Sequence, residues 1–491
     1  MSQTIATSPG GTHTRRRSSG ESTGRRSGIL LTILLVGQFM AILDVQVTNV
    51  AAPTIRTDLH ASSGGLQLII TGYTIAYAML LITGARLGDR LGHRRLFLGG
   101  LALFTAASLA CGLAGSSGML IGFRLVQGAG AALMIPQVFS LIQRQFHGRE
   151  RMRALSLYGA VIAGGAIAGQ VVGGVLVSAD LWGTGWRPVF LINVPIGVVL
   201  LIAGLRALPT DHGEPGRGLD LPGLVVLSLA VLGFVVPLVF GHEEGWPLWG
   251  WLCLAGAAVL MAVFVAVERR ARSPLIPGRV LRSPGMITAV ITIFALMTSY
   301  GGFLFTLALH LQSGLGFSPL RAGLTFVPSA VCFAISSLNW RRMPPHTYHR
   351  MIPTGLFVGT LSLVLLLLSV RSGDAPGTLF YISQVIFGLG FGAAFSPLLT
   401  VALSHVAPSD AADASGLLTT VTQLGNVVGV ATFGTLYLSQ VATSPSGHAE
   451  SLTSGVEALL TLVAGGLALL LPRLAGPKTT GESASLDTPS H

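Results

Sequence analysis

Half of the 491 residues are hydrophobic and only 10% are charged, against about 25% charged in a soluble domain. A chain this long and this poor in charge cannot cover its own surface in water, which excludes a soluble globular protein and points to lipid as the solvent. The net charge of +11 raises nucleic-acid binding, but the arginines sit in short segments between apolar runs, as membrane topology requires, so no nucleic-acid partner is expected.

In chain order, residues 1–27 are rich in Ser, Thr, Gly and Arg and are expected to form a disordered cytoplasmic tail. Apolar runs of membrane-spanning length follow near 29–50, 65–85, 96–115, 118–142, 155–178, 188–207, 220–241, 247–267, 286–310, 322–340, 351–370, 378–403, 414–438 and 453–472. A second polar tail is expected over 475–491. Cys111, Cys253 and Cys332 lie far apart inside apolar runs and show no metal spacing. With the N-terminus inside, the inner segments hold 25 of the 30 Lys+Arg. The outer loops hold only Arg56, Arg187, Arg321 and Arg371, and Arg124 lies within a span. This asymmetry predicts fourteen spans with both termini inside.

The chain also repeats itself. In the fourth span Arg124 to Gly130 is followed by Pro136; in the twelfth, Gln384 to Gly390 is followed by Pro397, with Gln384 in the place of Arg124. The expected fold is therefore all-α. A six-helix bundle over 28–207 and another over 285–474 flank two linker helices within 208–284. Duplicated halves are typical of secondary transporters.

Ionisable groups deep in a bilayer cost several kcal/mol. Asp44 in the first span and Arg124 in the fourth stand out, at similar depth in the outer half. Two readings are open. In one, proton uptake by Asp44 releases Arg124; in the other, the two form a static pair that fixes helix packing. No other ionisable group stands out within a span, so the buried charge is expected in the first half alone, and neutral or zwitterionic substrates are at least as well suited as cations. His310, at the outer end of the ninth span, reads as an ordinary interfacial histidine. Gln46, Asn49, Tyr73, Tyr77, Gln127, Gln137, Gln384, Gln423 and Asn426 are neutral polar residues within spans. Each either lines a substrate cavity or bonds a neighbouring helix.

Enzymatic chemistry is not expected. The chain has no Walker A pattern and no H-E-x-x-H. Gly20-Glu21-Ser22-Thr23-Gly24 fits G-x-S-x-G, but with no strand before it, and His346 and His349 stand alone in a basic loop. No cofactor is implied.

Four stretches together resemble the major facilitator superfamily, and within it the fourteen-span drug:proton antiporters. Gly88-Asp89-Arg90-Leu91-Gly92-His93-Arg94-Arg95 is similar to the family's cytoplasmic loop. Leu43 to Pro53 resembles the first-span motif, Arg124 to Gly130 the fourth-span motif, and Trp186 to Gly197 the opening of the sixth span. The fifth span carries an antiporter motif, Gly165-x-x-x-Gly169-Gln170-x-x-Gly173-Gly174. It departs from the family at Gln170, where Pro is usual, as do Ala85 for Gly and Gln46 for Thr. The resemblance implies a proton-coupled exporter of hydrophobic or amphipathic small molecules, embedded as a monomer in a bacterial inner membrane and driven by the proton motive force. Asp44 and Arg124 would couple to protons. Gly88, Asp89, Arg90, Gly92, Arg94 and Arg95 would form the cytoplasmic gate. An importer or uniporter, and a non-transporting sensor, are the alternatives.

Overall fold

In hydrocarbon every backbone N–H and C=O has to be bonded within the chain, and the helix is the local solution. A computed structural model describes residues 16–471, apart from 181–182, 212, 214–219, 242–244, 272–273, 277, 345–346, 372, 374 and 408–409. The helices are α1 (Arg16–Asp58), α2 (Ser63–Leu91), α3 (His93–Gly112), α4 (Ser117–Gln145), α5 (Gly148–Ser178), the short α6 (Pro188–Leu191) and α7 (Asn193–Ala207). There follow α8 (Leu221–Phe240), α9 (Leu248–Arg270), the short α10 (Gly278–Leu281), α11 (Met286–Leu309), α12 (Pro319–Thr325) and α13 (Val327–Asn339). The last four are α14 (Tyr348–Val370), α15 (Thr378–Ser404), α16 (Ala411–Val441) and α17 (Ser446–Ala468). A π-helical turn, His310–Gly314, extends α11. Among the described residues there is no strand.

Among the described residues thirteen helical stretches are long and apolar enough to cross a membrane, and they fall on thirteen of the expected runs. In the place of the remaining run, 155–178, α5 is a continuous helix. Serine hydroxyls mark several starts: Ser62, Ser116 and Ser318 accept from the backbone N–H of Gly65, Met119 and Arg321.

Three expectations are corrected. The first helix begins at Arg16, so residues 16–27, including the Gly20–Gly24 stretch, are helical and not an unstructured tail. Extending a formed helix needs no new nucleus, and that outweighs a weak local preference. The expected basic loop Gly88 to Arg95 is almost entirely helix. Helix α2 continues to Leu91, α3 starts at His93, and the break is Gly92 alone, at φ +96°. That dihedral belongs to glycine, so one residue turns the chain. The final span starts at Ser446 and not near 453, which draws Glu450 into it. The tails 1–15 and 472–491 and His346 lie outside the described residues.

The chain divides into two compact units. The first takes in residues up to Ser228 with Leu311–Val327, and the second Leu229–His310 with residues from Pro328 onward. The repeat seen in the sequence is a repeat of contacts within each unit. A Cβ at Gly128 would lie 2.2 Å from the Tyr73 carbonyl oxygen, and one at Gly388 2.1 Å from that of Ser329. Two residues on, Gly130 abuts the α3 backbone at Gly100 and Phe104, and Gly390 abuts the α14 backbone at Gly355 and Gly359. In both units the central helix uses one glycine against each of two neighbours, so backbones meet at distances that a methyl group would block.

Candidate functional site

Helices α1, α3, α4 and α7 bring polar side chains to one point inside the first unit. Asp44 on α1 and Arg124 on α4 are both fully buried and form an ion pair. The guanidinium also donates from NH1 to Gln127 Oε1 at 2.7 Å and from Nε to the Ile69 carbonyl on α2 at 3.1 Å. The Asp44 carboxylate accepts further from Gln127 Nε2 at 2.8 Å and from Asn193 Nδ2 on α7 at 2.9 Å. Gln127 Nε2 also reaches Ser108 Oγ on α3 at 2.8 Å. The Tyr73 ring lies beneath the guanidinium, with Cζ 4.7 Å from its centroid, and Phe190 flanks it at 5.5 Å. Burying two charges is tolerable where geometry and extra hydrogen bonds offset desolvation, and this network supplies both. The second guanidinium nitrogen, NH2, has no hydrogen-bond partner.

Five helices therefore report to one carboxylate–guanidinium pair. Adding or removing a proton at Asp44 changes the charge of the whole network. For two unit charges about 4 Å apart at an effective dielectric of about 20, the attraction at stake is about 4 kcal/mol. Inverting a two-state population from about 1:99 to 99:1 takes about 5.5 kcal/mol. The two magnitudes are of the same order, the first being somewhat smaller.

Several residues expected to line a cavity lie elsewhere. Gln127 is fully buried within the charge network. Gln137 is fully buried at the other end of α4. It donates to the Gly84 carbonyl at 2.9 Å and its Oε1 lies 2.7 Å from His93 Nδ1. Both amides satisfy neighbouring helices, which is why neither faces an open space. Tyr73 is buried against Arg124 and stacks with Tyr77 at 6.2 Å between centroids. Gln46 and Asn49 on α1 are buried, Gln46 against α5. In the second unit Gln384 is fully buried with both amide atoms unpartnered, and Gln423 and Asn426 are partly exposed on α16.

The antiporter motif is a packing surface. A Cβ at Gly169 would lie 2.5 Å from Gln46 Cβ and one at Gly173 2.9 Å from Val47 Cα, with Gly165 against Ile42, so α5 seats on α1. Gly174 faces Leu320 of α12, and Gln170 is buried on a helix that runs on without interruption.

At the α2–α3 junction the carboxylate on the helix N-terminus is Asp211, not Asp89. Asp211 accepts from the backbone N–H of His93 at 2.6 Å and of Arg94 at 3.1 Å. It thus meets two of the donors that a helix start leaves unbonded. Asp89 is 57% exposed, 3.5 Å from His93 Nε2 and 3.9 Å from Arg144. Gly88 packs against Gln137, Arg94 donates to the Leu205 carbonyl at 2.7 Å, and Arg90 and Arg95 are exposed. The segment after α7 therefore straps this junction, which the spacing of the motif alone does not disclose.

Asn193, Ser108 and Asp211 were missed as partners. Asn193 and Ser108 carried a signal, a lone polar side chain in an apolar run. More consequentially, Glu450 and Glu457 on α17 are fully buried. Buried charge is therefore not confined to the first half, and the premise favouring neutral substrates, a nearly solitary carboxyl, falls. His310 is fully buried as well.

An all-helical, multi-pass chain built on repeated packing, with a buried ion pair inside one repeat, defines an integral membrane protein of the secondary-transporter type. The sequence pattern of the Major Facilitator Superfamily matches residues 34–430, and the chain belongs to that family. It is 40% identical over 430 residues to a protein of Streptomyces coelicolor named probable actinorhodin transporter, covering 86% of this chain and 74% of that one. It is 36% identical over 458 residues to the cephamycin export protein CmcT of Amycolatopsis lactamdurans, covering 91% and 92%. Among solved structures, a bacterial homolog of the human lysosomal transporter Spinster, crystallised inward-facing and unoccupied, matches with a TM-score of 0.65 and 18% identity over 91% of this chain and 96% of that one. That likeness concerns the fold.

Proposed function

We propose that this protein is a proton-driven exporter of an antibiotic-like, hydrophobic or amphipathic small molecule, working by alternating access as a monomer in a bacterial inner membrane. The observation that carries the reading is the buried Asp44–Arg124 pair, held by Gln127 and Asn193. It sits in a chain of the Major Facilitator Superfamily whose relatives bear the names of an antibiotic transporter and an antibiotic export protein. The distribution of Lys and Arg supports fourteen spans with both termini inside, α5 being the fourteenth. In this reading a proton from outside neutralises Asp44, Arg124 is left with Gln127 and the Ile69 carbonyl, and the helices that meet at the pair rearrange. Gly88, Asp89, Arg90, Gly92, Arg94 and Arg95 serve as the cytoplasmic gate, with Asp211 holding its helix start. Gly165, Gly169 and Gly173 carry the sliding contact between α5 and α1, with Gln170 and Gly174 beside α12. Gln46, Asn49, Tyr77, Gln384, Gln423 and Asn426 remain the side chains proposed to meet substrate.

The test is a susceptibility panel of polyketide, β-lactam and nucleoside antibiotics in an efflux-deficient bacterial host, with wild type beside Asp44→Asn. It is paired with substrate-driven proton movement in inverted membrane vesicles. Wild type raises resistance to at least one class and Asp44→Asn, at equal membrane abundance, does not. Uphill export by Asp44→Asn equal to wild type would exclude Asp44 as the proton carrier.

A further inference from the structure

A second set of buried ionisable groups lies in the second unit, where α11 and α17 pack antiparallel. On α17, Ser446, Glu450, Ser454, Glu457 and Thr461 follow one another at steps of three and four residues and share a face. Facing them on α11 stand, in the reverse order, His310, Thr306, Gly302 and Ser299. The His310 ring lies beside the Ser446 backbone. Thr306 Oγ1 donates to Glu450 Oε1 at 3.4 Å. A Cβ at Gly302 would lie 2.6 Å from Glu457 Oε1. Thr461 Oγ1 donates to Ser299 Oγ at 3.0 Å. From Ser446 to Thr461 the track runs roughly 22 Å along the helix, with the two carboxyl groups about 10 Å apart in rise.

Both glutamates and His310 are fully buried. Glu450 Oε2 and both oxygens of Glu457 have no hydrogen-bond partner. A carboxyl group kept for packing alone bonds its neighbours, because an unbonded buried polar group costs about 1–3 kcal/mol. Glu457 does not, Glu450 does so through one oxygen only, and among the described residues no cation offsets either. Helix α14 meets α17 with Leu367, Phe357 and Gly359 and with the Val370 carbonyl. On α16, Phe433 lies against Gly302, and Tyr437, one turn on, is the buried titratable side chain of that helix. Asp413 near its start is within 3.8 Å of Arg279. Arg371 after α14 and His448 on α17 are exposed. Among the described residues the track therefore holds acids, hydroxyls and a histidine, with no Lys or Arg against either carboxyl. Neutralising such a carboxyl requires a proton.

We propose that Glu450 and Glu457, with His310 at the head of the track, form a second proton-binding site that loads and empties during the transport cycle apart from Asp44. That His310 marks the outer mouth rests on the orientation proposed above; the binding of protons by the two acids does not. Ser454 stands between the two acids on the shared face, Thr306 bonds Glu450, and the Thr461–Ser299 pair lies one turn beyond Glu457.

Infrared difference spectra of the purified full-length protein in lipid nanodiscs, recorded between acidic and alkaline pH, test this without any knowledge of the substrate. An Asp44→Asn background removes the first site. In that background, a carboxylic-acid carbonyl band that disappears on the alkaline side is expected. It should fall by about half in Asp44→Asn/Glu457→Gln and again in Asp44→Asn/Glu450→Gln/Glu457→Gln. His310→Gln should keep the band and shift the pH at which it changes. If a glutamine variant does not elute as a monodisperse species, Glu457→Asp replaces it, and the band should move in frequency without loss. A band unchanged by the glutamine substitutions or by Glu457→Asp, or one that persists at every pH, overturns the proposal. A protein that exports none of the antibiotics still shows these acids titrating if the site is real. Export intact with no such titration removes the second site and leaves Asp44 as proton carrier.

Discussion

Gln127 holds both members of the buried pair: its Nε2 donates to Asp44 at 2.8 Å while its Oε1 accepts from Arg124 at 2.7 Å. The amide can satisfy a carboxylate and a guanidinium at once because it presents a donor and an acceptor on one planar group. When Asp44 is neutral, the same amide still bonds Arg124. Gln127 therefore ties Arg124 to the network whether or not Asp44 carries its charge.

Removing one charge and removing both should differ. Asp44→Asn leaves Arg124 buried without a counter-ion, a loss of about 3–5 kcal/mol in comparable buried pairs. Asp44→Asn/Arg124→Gln removes that imbalance. In a thermal unfolding series in detergent, the single variant should melt well below wild type and the double variant should recover most of the difference. Resistance should be lost in both. Strictly additive destabilisation would show that the two side chains do not act as a pair.

Asn193 should matter although it carries no charge. Its amide is one of the donors to the Asp44 carboxylate, at 2.9 Å. Hydrogen bonds to charged groups contribute about 1.5–3 kcal/mol. Asn193→Ala should lower the melting temperature and reduce resistance, whereas Asn193→Asp would add a second acid beside Asp44 and lower stability further. Equal behaviour of Asn193→Ala and wild type in both measurements would remove it from the network.

The spans, the duplication and the Asp44–Arg124 pair were legible in the sequence because each leaves a one-dimensional trace. Apolar run length reports bilayer thickness, matched glycines report backbone contact, and a lone charge in an apolar run demands a partner. Partners contributed by distant segments leave no such trace. Asp211 reaches His93 across 118 residues, and nothing in its neighbourhood distinguishes it from any other loop aspartate. Glu450 was hidden by an error of one or two helical turns in where the last span starts, since a carboxylate just outside a span is ordinary. Glu457 lies inside the expected span and is legible there as an acid in an apolar run.

The strap on the α2–α3 junction gives a prediction for the linker. Asp211→Ala removes the carboxylate that bonds the His93 and Arg94 N–H groups, at a cost of about 0.5–2 kcal/mol for a helix cap. Hydrogen exchange should rise in the first turn of α3 while the far end of that helix keeps its protection. Asp89→Asn, whose carboxylate lies off the helix start, should leave exchange in that turn unchanged. The reverse pattern would assign the capping role to Asp89.

The duplicated glycines make the sharpest stability contrast. Gly128→Ala sets a methyl group 2.2 Å from the Tyr73 carbonyl oxygen, and Gly388→Ala one 2.1 Å from that of Ser329. Both obstacles are backbone atoms of a packed helix, so relief requires one helix to move away from another. Overpacking of this kind costs about 1–3 kcal/mol or more. Gly99→Ala, where the new methyl group meets nothing within 4 Å, should instead be neutral or stabilise by about 0.5–1 kcal/mol through helix propensity. Melting temperatures of the three variants in one detergent decide it. If the two halves are structural repeats, Gly128→Ala and Gly388→Ala should fall by similar amounts, because the same contact is lost in each. A large fall in one with none in the other would mean that the glycines align in sequence without sharing a packing role.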